Sequence, residues 1–350
     1  MDFSSELKIY QEKISTELDM FFSKKLRQAA DLDPQITGLI RKVREFNLRG
    51  GKRIRPILVI IGYRCLRYKK NEISQLIRAA LAVELMESFL LIHDDIIDND
   101  SLRRGKPTLH KLYEKENSNK DYGKNMALLA GDLLAVFGSE AILNTGFDHK
   151  LKAGAVKKFN NIVVNTIFGQ TLDYTGNFTR DFSESYIKRV HMLKTAKYTV
   201  EGPLHIGAIL AGAKQKHLDR ISEFAIPIGQ AFQIKDDILN IFGDQEKLGK
   251  PVASDIKEGK KTLLIAKALE NSNLKQRLYI KSCLRNKSLK PKQLEKLKNI
   301  IISTASLDYS NHLAESLINQ AKLSIKSSGF RKQAKQFLLN LADYIINRDK

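Results

Sequence analysis

The chain has 350 residues, 43% apolar and 28% charged, with a net charge of +20 and a pI near 9.7. That apolar content supports a sizeable core and excludes global disorder. Cys65 and Cys283 stand far apart in no CxxC pair, which excludes a disulfide scaffold and a cysteine zinc site and fits a reducing compartment. The N-terminus has no basic-apolar-small cleavage pattern, and apolar stretches such as 56–63 are too short for a bilayer, so the expected location is cytoplasmic. The charge is uneven, with 16 Lys and Arg against 5 Asp and Glu over 271–350. A solvated basic surface explains this more simply than nucleic acid, because the region has no aromatic-interleaved basic motif and no finger or RNP signature. Weak association with an anionic membrane is a further expectation from the same charge.

Prolines number 7 and fall mostly at element boundaries, and alternating strand patterns are nearly absent. Apolar residues recur instead at helical spacing, as in Ile73, Leu76, Ile77, Ala80 and Leu81, then Ala130, Leu133, Leu134, Phe137 and Ala141. In chain order the long predicted helices cover 74–97, 125–144, 151–174 and 218–242. Polar or glycine-containing breaks lie near 31–34, 116–123, 176–184, 212–215, 243–249 and 287–292. With no solenoid-length repeat and no glycine- or serine-rich linker, the expectation is one all-α domain over 1–350.

Two acidic clusters end strongly apolar helices: LIHDDIIDND, with Asp94, Asp95 and Asp98, and FQIKDDILNIF, with Asp236 and Asp237. Carboxylates at a helix C-terminus oppose the macrodipole and repel one another, and a hard divalent cation would offset both effects. Asp94 and Asp98, four apart, share a helix face and can grip one ion. Mg2+ suits such a pair, since it takes one or two carboxylates and completes its shell with water and phosphate oxygens. Two such helices facing each other would hold a metal–diphosphate complex. Candidate anion contacts follow. Gly50-Gly51-Lys52-Arg53-Ile54-Arg55-Pro56 joins a glycine turn to three cations; Arg103 and Arg104 follow the first cluster; Lys194-Thr195, Lys250 and Lys260 come later.

These motifs, with AGDLL, GQTLDYTG, LKTAKYTVEGP and GQAFQIKDDILNIFGDQEKLGKPVASDIKEGKKTLL, span about 50–263 and resemble the trans-polyprenyl diphosphate synthase family in order. The resemblance implies an all-α, single-domain helical bundle of the isoprenoid synthase type with a central apolar cavity, in a homodimer. It implies Mg2+, with Mn2+ as a substitute ion, held by Asp94, Asp98 and Asp236, with Asp95 and Asp237 supporting. It implies an allylic diphosphate on Arg103, Lys194, Thr195, Gln233, Lys250 and Lys260, and isopentenyl diphosphate at Lys52, Arg55 and Arg104. Gln170 and Asp173 would line the cavity. The implied partners are small isoprenoid diphosphates, with no nucleic acid. The implied chemistry ionises an allylic C–O bond. Lys194, Lys250, Lys260 and Arg103 would stabilise the departing diphosphate, and the proton lost after condensation would pass to that diphosphate.

Two positions depart from the family pattern. Asn240 stands where the second motif usually ends in Asp, and an amide is a weaker ligand for Mg2+. Glu87, seven residues before Asp94, stands where His or Gln usually touches isopentenyl diphosphate, so its charge needs Lys52 or Arg55 as a bridge. Phe89 and Leu90, five and four residues before Asp94, sit where the family sets chain length. An aromatic followed by a smaller residue resembles archaeal-type geranylgeranyl synthases, so geranylgeranyl diphosphate is the expected product and farnesyl diphosphate the next. A class I terpene cyclase fits less well, because its second metal motif needs a Ser or Thr and it has no use for GGKRIRP. A non-catalytic subunit of a heteromeric synthase usually loses the first motif, which is whole here. Arg348 and Lys350 at the C-terminus could close over isopentenyl diphosphate.

Overall fold

The computed structural model describes residues 2–176, 178–179, 183–243 and 253–346. Its first helices are α1 (Phe3–Ala30), α2 (Pro34–Leu48), α3 (Ile54–Leu66) and α4 (Ile73–Ile97). A two-residue antiparallel pair, β1 (Leu102–Arg103) and β2 (Lys106–Pro107), leads into α5 (Leu109–Asn117), α6 (Lys120–Leu143) and α7 (His149–Gly176). Next come α8 (Glu184–Val190), a π-helical segment (His191–Glu201), α9 (Gly202–Leu210) and α10 (Gln215–Phe242). The rest is α11 (Ser254–Glu258), α12 (Leu263–Asn271), α13 (Leu274–Cys283), α14 (Pro291–Ser303), α15 (Ser306–Lys326) and α16 (Lys332–Ile346). The all-α expectation holds, and three of the four long helices begin or end within a few residues of their predicted limits.

The fourth, α6, starts five residues early. Asn119 caps it, its side chain accepting from the backbone N–H groups of Asp121 and Tyr122, both at 3.0 Å. Gly123, which reads as part of a break, lies inside the helix. A Cβ there would meet the carbonyl oxygen of His110 at 2.5 Å, so the glycine permits close packing on α5. By length and composition alone α6 is long and apolar enough to cross a membrane, contrary to the expectation that every apolar stretch is too short. Its buried side nevertheless packs on α4, where a Cβ on Gly131 would lie 2.3 Å from His93 Nε2 and one on Gly138 3.2 Å from the Ala82 carbonyl oxygen.

The chain divides into two compact units, Met1–Asn160 with Pro203–Lys214, and Asn161–Gly202 with Gln215–Lys350. In the first, α4 is buried around most of its circumference, against α3, α6 and α1. The run Ile57–Ile61 on α3 is wholly inaccessible. Here α3 and α9 approach through facing glycines: a Cβ on Gly62 would lie 2.1 Å from the Leu204 carbonyl oxygen, and one on Gly207 would lie 1.8 Å from that of Val59. In the second unit α10 packs on the π-helical segment and on α15. Its apolar face, Ile221, Phe224, Ile228, Ile234 and Ile241, is buried, and Gly229 admits the backbone of Ala196, whose Cα would lie 2.4 Å from an added Cβ.

Candidate active site

The first acidic cluster sits where α4 ends. The N–H of Asp98 closes on the carbonyl of Asp94 at 2.8 Å, and Asn99 turns the chain out with φ of 54°. The chain then folds back through β1 and β2, whose turn places Arg104 and Gly105 at positive φ. Asp94 and Asp98 are half-buried. Asp95 points inward, 1% exposed, and accepts from Arg103 through Nε at 2.8 Å and through Nη2. Arg103 also reaches Asp100 at 3.1 Å, so its guanidinium is engaged by carboxylates. Burial pushes the Asp95 carboxyl up to about 6, against the pull of Arg103.

The glycine turn lies in the same unit. Gly50 and Gly51 have φ of 92° and 132°, conformations that disfavour any side chain. Gln11 of α1 donates to the Gly51 carbonyl at 2.6 Å, and Arg104 donates to that of Gly50. Arg53, in the left-handed region at φ 52°, turns away from solvent and pairs with Glu84, which is 1% exposed. Its other Nη donates to the Asn47 carbonyl at 2.7 Å, and Ser88 donates to the Asn47 side chain at 2.7 Å. Burial first, then Glu87, pushes the Glu84 carboxyl up, against Arg53. With Arg53 committed inward, the flanking cations remain: Lys52 is exposed and Arg55 half-buried. Arg55 lies 2.9 Å from Glu87, and Arg104 lies 3.6 Å from the same carboxylate. The bridge that the Glu87 charge needs is thus Arg55, with Arg104 as a second cation. Phe89 is buried with its ring edge-on to His93, centroids 4.8 Å apart, and Leu90 is half-buried.

The second cluster sits at the end of α10. Asp236 is half-buried, whereas Asp237 is buried and accepts from Gln233 at 2.8 Å, with His191 Nε2 at 3.4 Å from its other oxygen. Gln233 in turn accepts from Thr195 at 2.6 Å. These contacts join α10 to the π-helical segment, which also presents Lys194. Lys194 donates to Asp173 of α7 at 2.6 Å, an approach that Gly169 allows, since a Cβ there would lie 2.4 Å from the Lys194 nitrogen. Burial works to raise the Asp173 carboxyl, but Lys194 and then Lys260 outweigh it and hold it below the usual range. Gln170 lies one turn earlier on α7, half-buried. Lys260 lies 2.6 Å from Glu258 and 3.6 Å from Asp255. Lys250, Arg348 and Lys350 fall outside the described residues.

Asn240 is fully buried. Its amide donates to Ser254 Oγ at 2.8 Å and accepts from the Asp255 N–H at 3.3 Å, while its carbonyl accepts from the Ala253 N–H at 2.8 Å. It therefore fastens the start of α11, the short helix that leads to Lys260. Sequence reasoning missed this tie, as it missed Gln11, Asn47, Arg53 with Glu84, and His191. Glu84 alone carried a signal, as an acid within the apolar run ALAVELM. Among the described residues no group of three or more His, Cys, Asp or Glu is placed to hold a metal ion.

Residues 37–301 match the profile of the polyprenyl synthetase family. A short chain isoprenyl diphosphate synthase of Methanocaldococcus jannaschii is 35% identical over 299 residues, covering 85% of this chain and 86% of the relative. A geranylgeranyl diphosphate synthase of Saccharolobus solfataricus is 33% identical over 305 residues, 86% of this chain and 87% of the relative. Among solved structures, the geranylgeranyl pyrophosphate synthase of Corynebacterium glutamicum, complexed with isoprenyl diphosphate and magnesium, superposes with a TM-score of 0.91 at 27% identity, covering 99% of this chain and 100% of that one. The chain belongs to the polyprenyl synthetase family, and it is a prenyltransferase of the chain-elongating prenyl diphosphate synthase type.

Proposed function

We propose that the chain condenses isopentenyl diphosphate with dimethylallyl, geranyl or farnesyl diphosphate, that the reaction requires Mg2+, and that the main product is geranylgeranyl diphosphate. The observation that carries this is the cation cluster around the Gly50–Gly51 turn. Arg55 and Arg104 meet on Glu87 beside the glycine turn, with Lys52 next to it in the chain, and as an anion site these cations would have a role separate from that of the Asp94–Asp98 pair. An enzyme that joins two diphosphates needs such a second site, and one that cyclises a single diphosphate does not.

The residues fit a hard divalent ion. Asp94 and Asp98 lie one turn apart at a helix end, half-buried, and two carboxylates are a donor set that a hard ion such as Mg2+ takes. Asp236 is the matching carboxylate of the second cluster. The bound metal supplies Lewis-acid assistance to the departure of diphosphate. Lys194 and Lys260 hold positive charge where the leaving group gains negative charge, and Asp173 keeps Lys194 in place. Thr195 and Gln233 orient the same segment. Arg103 holds Asp95 and so braces the first cluster from behind. Arg55 and Arg104, already gathered on Glu87, receive isopentenyl diphosphate. Phe89 forms the floor that limits the growing chain. The solved relative complexed with isoprenyl diphosphate and magnesium, and the relatives named as geranylgeranyl diphosphate synthases, support this assignment.

The active form is proposed to be a homodimer. Leu129, Val136 and Leu143 recur every seven residues on the exposed side of α6, with Leu128 beside them, and a second copy would cover them. Light scattering on the purified chain checks this, with a monomer mass overturning it. The function is tested by incubation with Mg2+, labelled isopentenyl diphosphate and each allylic primer in turn, followed by sizing of the dephosphorylated products. Label in a geranylgeranyl-length alcohol, lost on chelation, is the expected result. No elongation from any primer would leave the non-catalytic subunit as the reading.

A further inference from the structure

A strongly basic surface outside the site described above lies on the hairpin of α13 and α14. Over 274–303 there are nine Lys and Arg and one acid, Glu295. The hairpin is fixed from inside: the Tyr279 hydroxyl donates to the Gln293 carbonyl at 3.1 Å, and Lys296 stands over the Tyr279 ring at 4.2 Å. Helix α13 buries Ile280 and Cys283. Its opposite arc presents Leu274 and Leu278, one turn apart and 74% and 60% exposed. At about 100° per residue, Arg277, Lys281, Leu274, Leu278 and Lys275 follow one another around that arc, leucines in the middle and cations on both sides. All five are exposed, and α13 contains no acid. On α14, Ile302 adds a further apolar side chain, 51% exposed.

A purely solvated face has no use for a pair of exposed leucines at its centre. A nucleic-acid site would use the cations but gains little from leucines, and the aromatic ring of this hairpin, Tyr279, is already covered by Lys296. A bilayer surface uses both kinds of side chain, with leucines entering the boundary between headgroups and acyl chains while Lys and Arg lie at the phosphates. We propose that this face of α13 docks the protein on an anionic membrane surface. The inference stands on the surface itself and holds whatever product the enzyme makes. If the product is a long isoprenoid diphosphate, docking would release it beside lipid.

The test is co-sedimentation of the full chain with phosphatidylcholine vesicles, with and without phosphatidylglycerol, at low and physiological salt. Binding is expected to the anionic vesicles alone and to weaken as salt rises. Each cation near an anionic surface is worth about fivefold in affinity, so Lys275→Gln/Arg277→Gln/Lys281→Gln should bind about a hundredfold more weakly. Leu274→Ser/Leu278→Ser should lose about tenfold or more. Both variants change only exposed side chains, so circular dichroism and the unfolding transition should match the parent. Four results would overturn the proposal: no binding of the parent to anionic vesicles at low salt, equal binding to both vesicle types, parent-like binding by the leucine variant, or tighter binding to mixed-sequence duplex DNA than to anionic vesicles at the same salt.

Discussion

The two acidic clusters end similar apolar helices with the same Asp-Asp pair, yet different chemistry braces them. Behind the first, the partners are arginines: Arg103 on Asp95, Arg53 on Glu84, and Arg55 with Arg104 on Glu87. Behind the second, they are amides, a hydroxyl and an imidazole: Gln233 and His191 on Asp237, Thr195 on Gln233, and Asn240 on Ser254. An arginine–carboxylate brace is strong but leaves a buried charge exposed to failure if either partner is lost. A neutral brace is weaker per contact and more forgiving. The contrast shows that a motif position is defined by what stands behind it as much as by its letter.

The largest expected effect strikes the charged brace. Arg53→Ala strands Glu84 in a dry site, and breaking a buried pair costs roughly 3–5 kcal/mol, whereas replacing both partners with apolar residues should recover most of that. Urea unfolding of Arg53→Ala beside Arg53→Met/Glu84→Leu measures both, and a cost under about 1 kcal/mol for the single variant would show that the pair is not dry. Next in size is the split within the second cluster. Asp236→Ala should lower kcat/KM about a thousandfold, as loss of metal assistance worth several kcal/mol implies. Asn240→Asp should leave the Mg2+ concentration for half-maximal activity within about twofold of the parent, while Asn240→Ala loosens α11 and raises KM for the allylic substrate about tenfold, the worth of one or two hydrogen bonds. A markedly tighter Mg2+ requirement in Asn240→Asp would make position 240 a ligand site after all.

Phe89→Ala should shift the product distribution toward longer chains with a change in kcat/KM of less than about tenfold, since it removes a wall and no charge. An unchanged chain length would remove Phe89 as the floor. The smallest effect is expected at Glu87. Glu87→Gln frees Arg55 and Arg104 from a carboxylate and should lower KM for isopentenyl diphosphate about two- to fivefold, on the order of a partly exposed ion pair. A large loss of activity would mean that Glu87 is required to hold the two arginines.

Much of this was legible in the sequence. Helices α4, α7 and α10 follow from apolar spacing, and the two acidic clusters stand out as carboxylates ending apolar runs, although only the family resemblance singles out Asp236 over Asp237. The illegible parts depend on partners distant in the chain or on backbone geometry. The three cations of Lys52-Arg53-Ile54-Arg55 look alike in sequence, but the positive φ of Arg53 sends it inward to Glu84, 31 residues away. Asn240 reads as a weakened ligand until its amide is seen on Ser254. Gly62 and Gly207 reveal themselves only when α3 and α9 meet. Nothing in HMLKTAKYTVE announces π-helical bonding.

That segment has a consequence for the history of the chain. In the π form each N–H bonds five residues back, as Gly202 does to Lys197. Deleting a single residue between 191 and 201 would therefore not need to break the rod, because the backbone could revert to the ordinary α repeat and close the gap. The cost would be local, since the residues within the segment would change the direction they face, and a deletion ahead of Lys194 would carry it off Asp173. Loss of one codon ahead of Lys194 would thus be survivable for folding and decisive for chemistry.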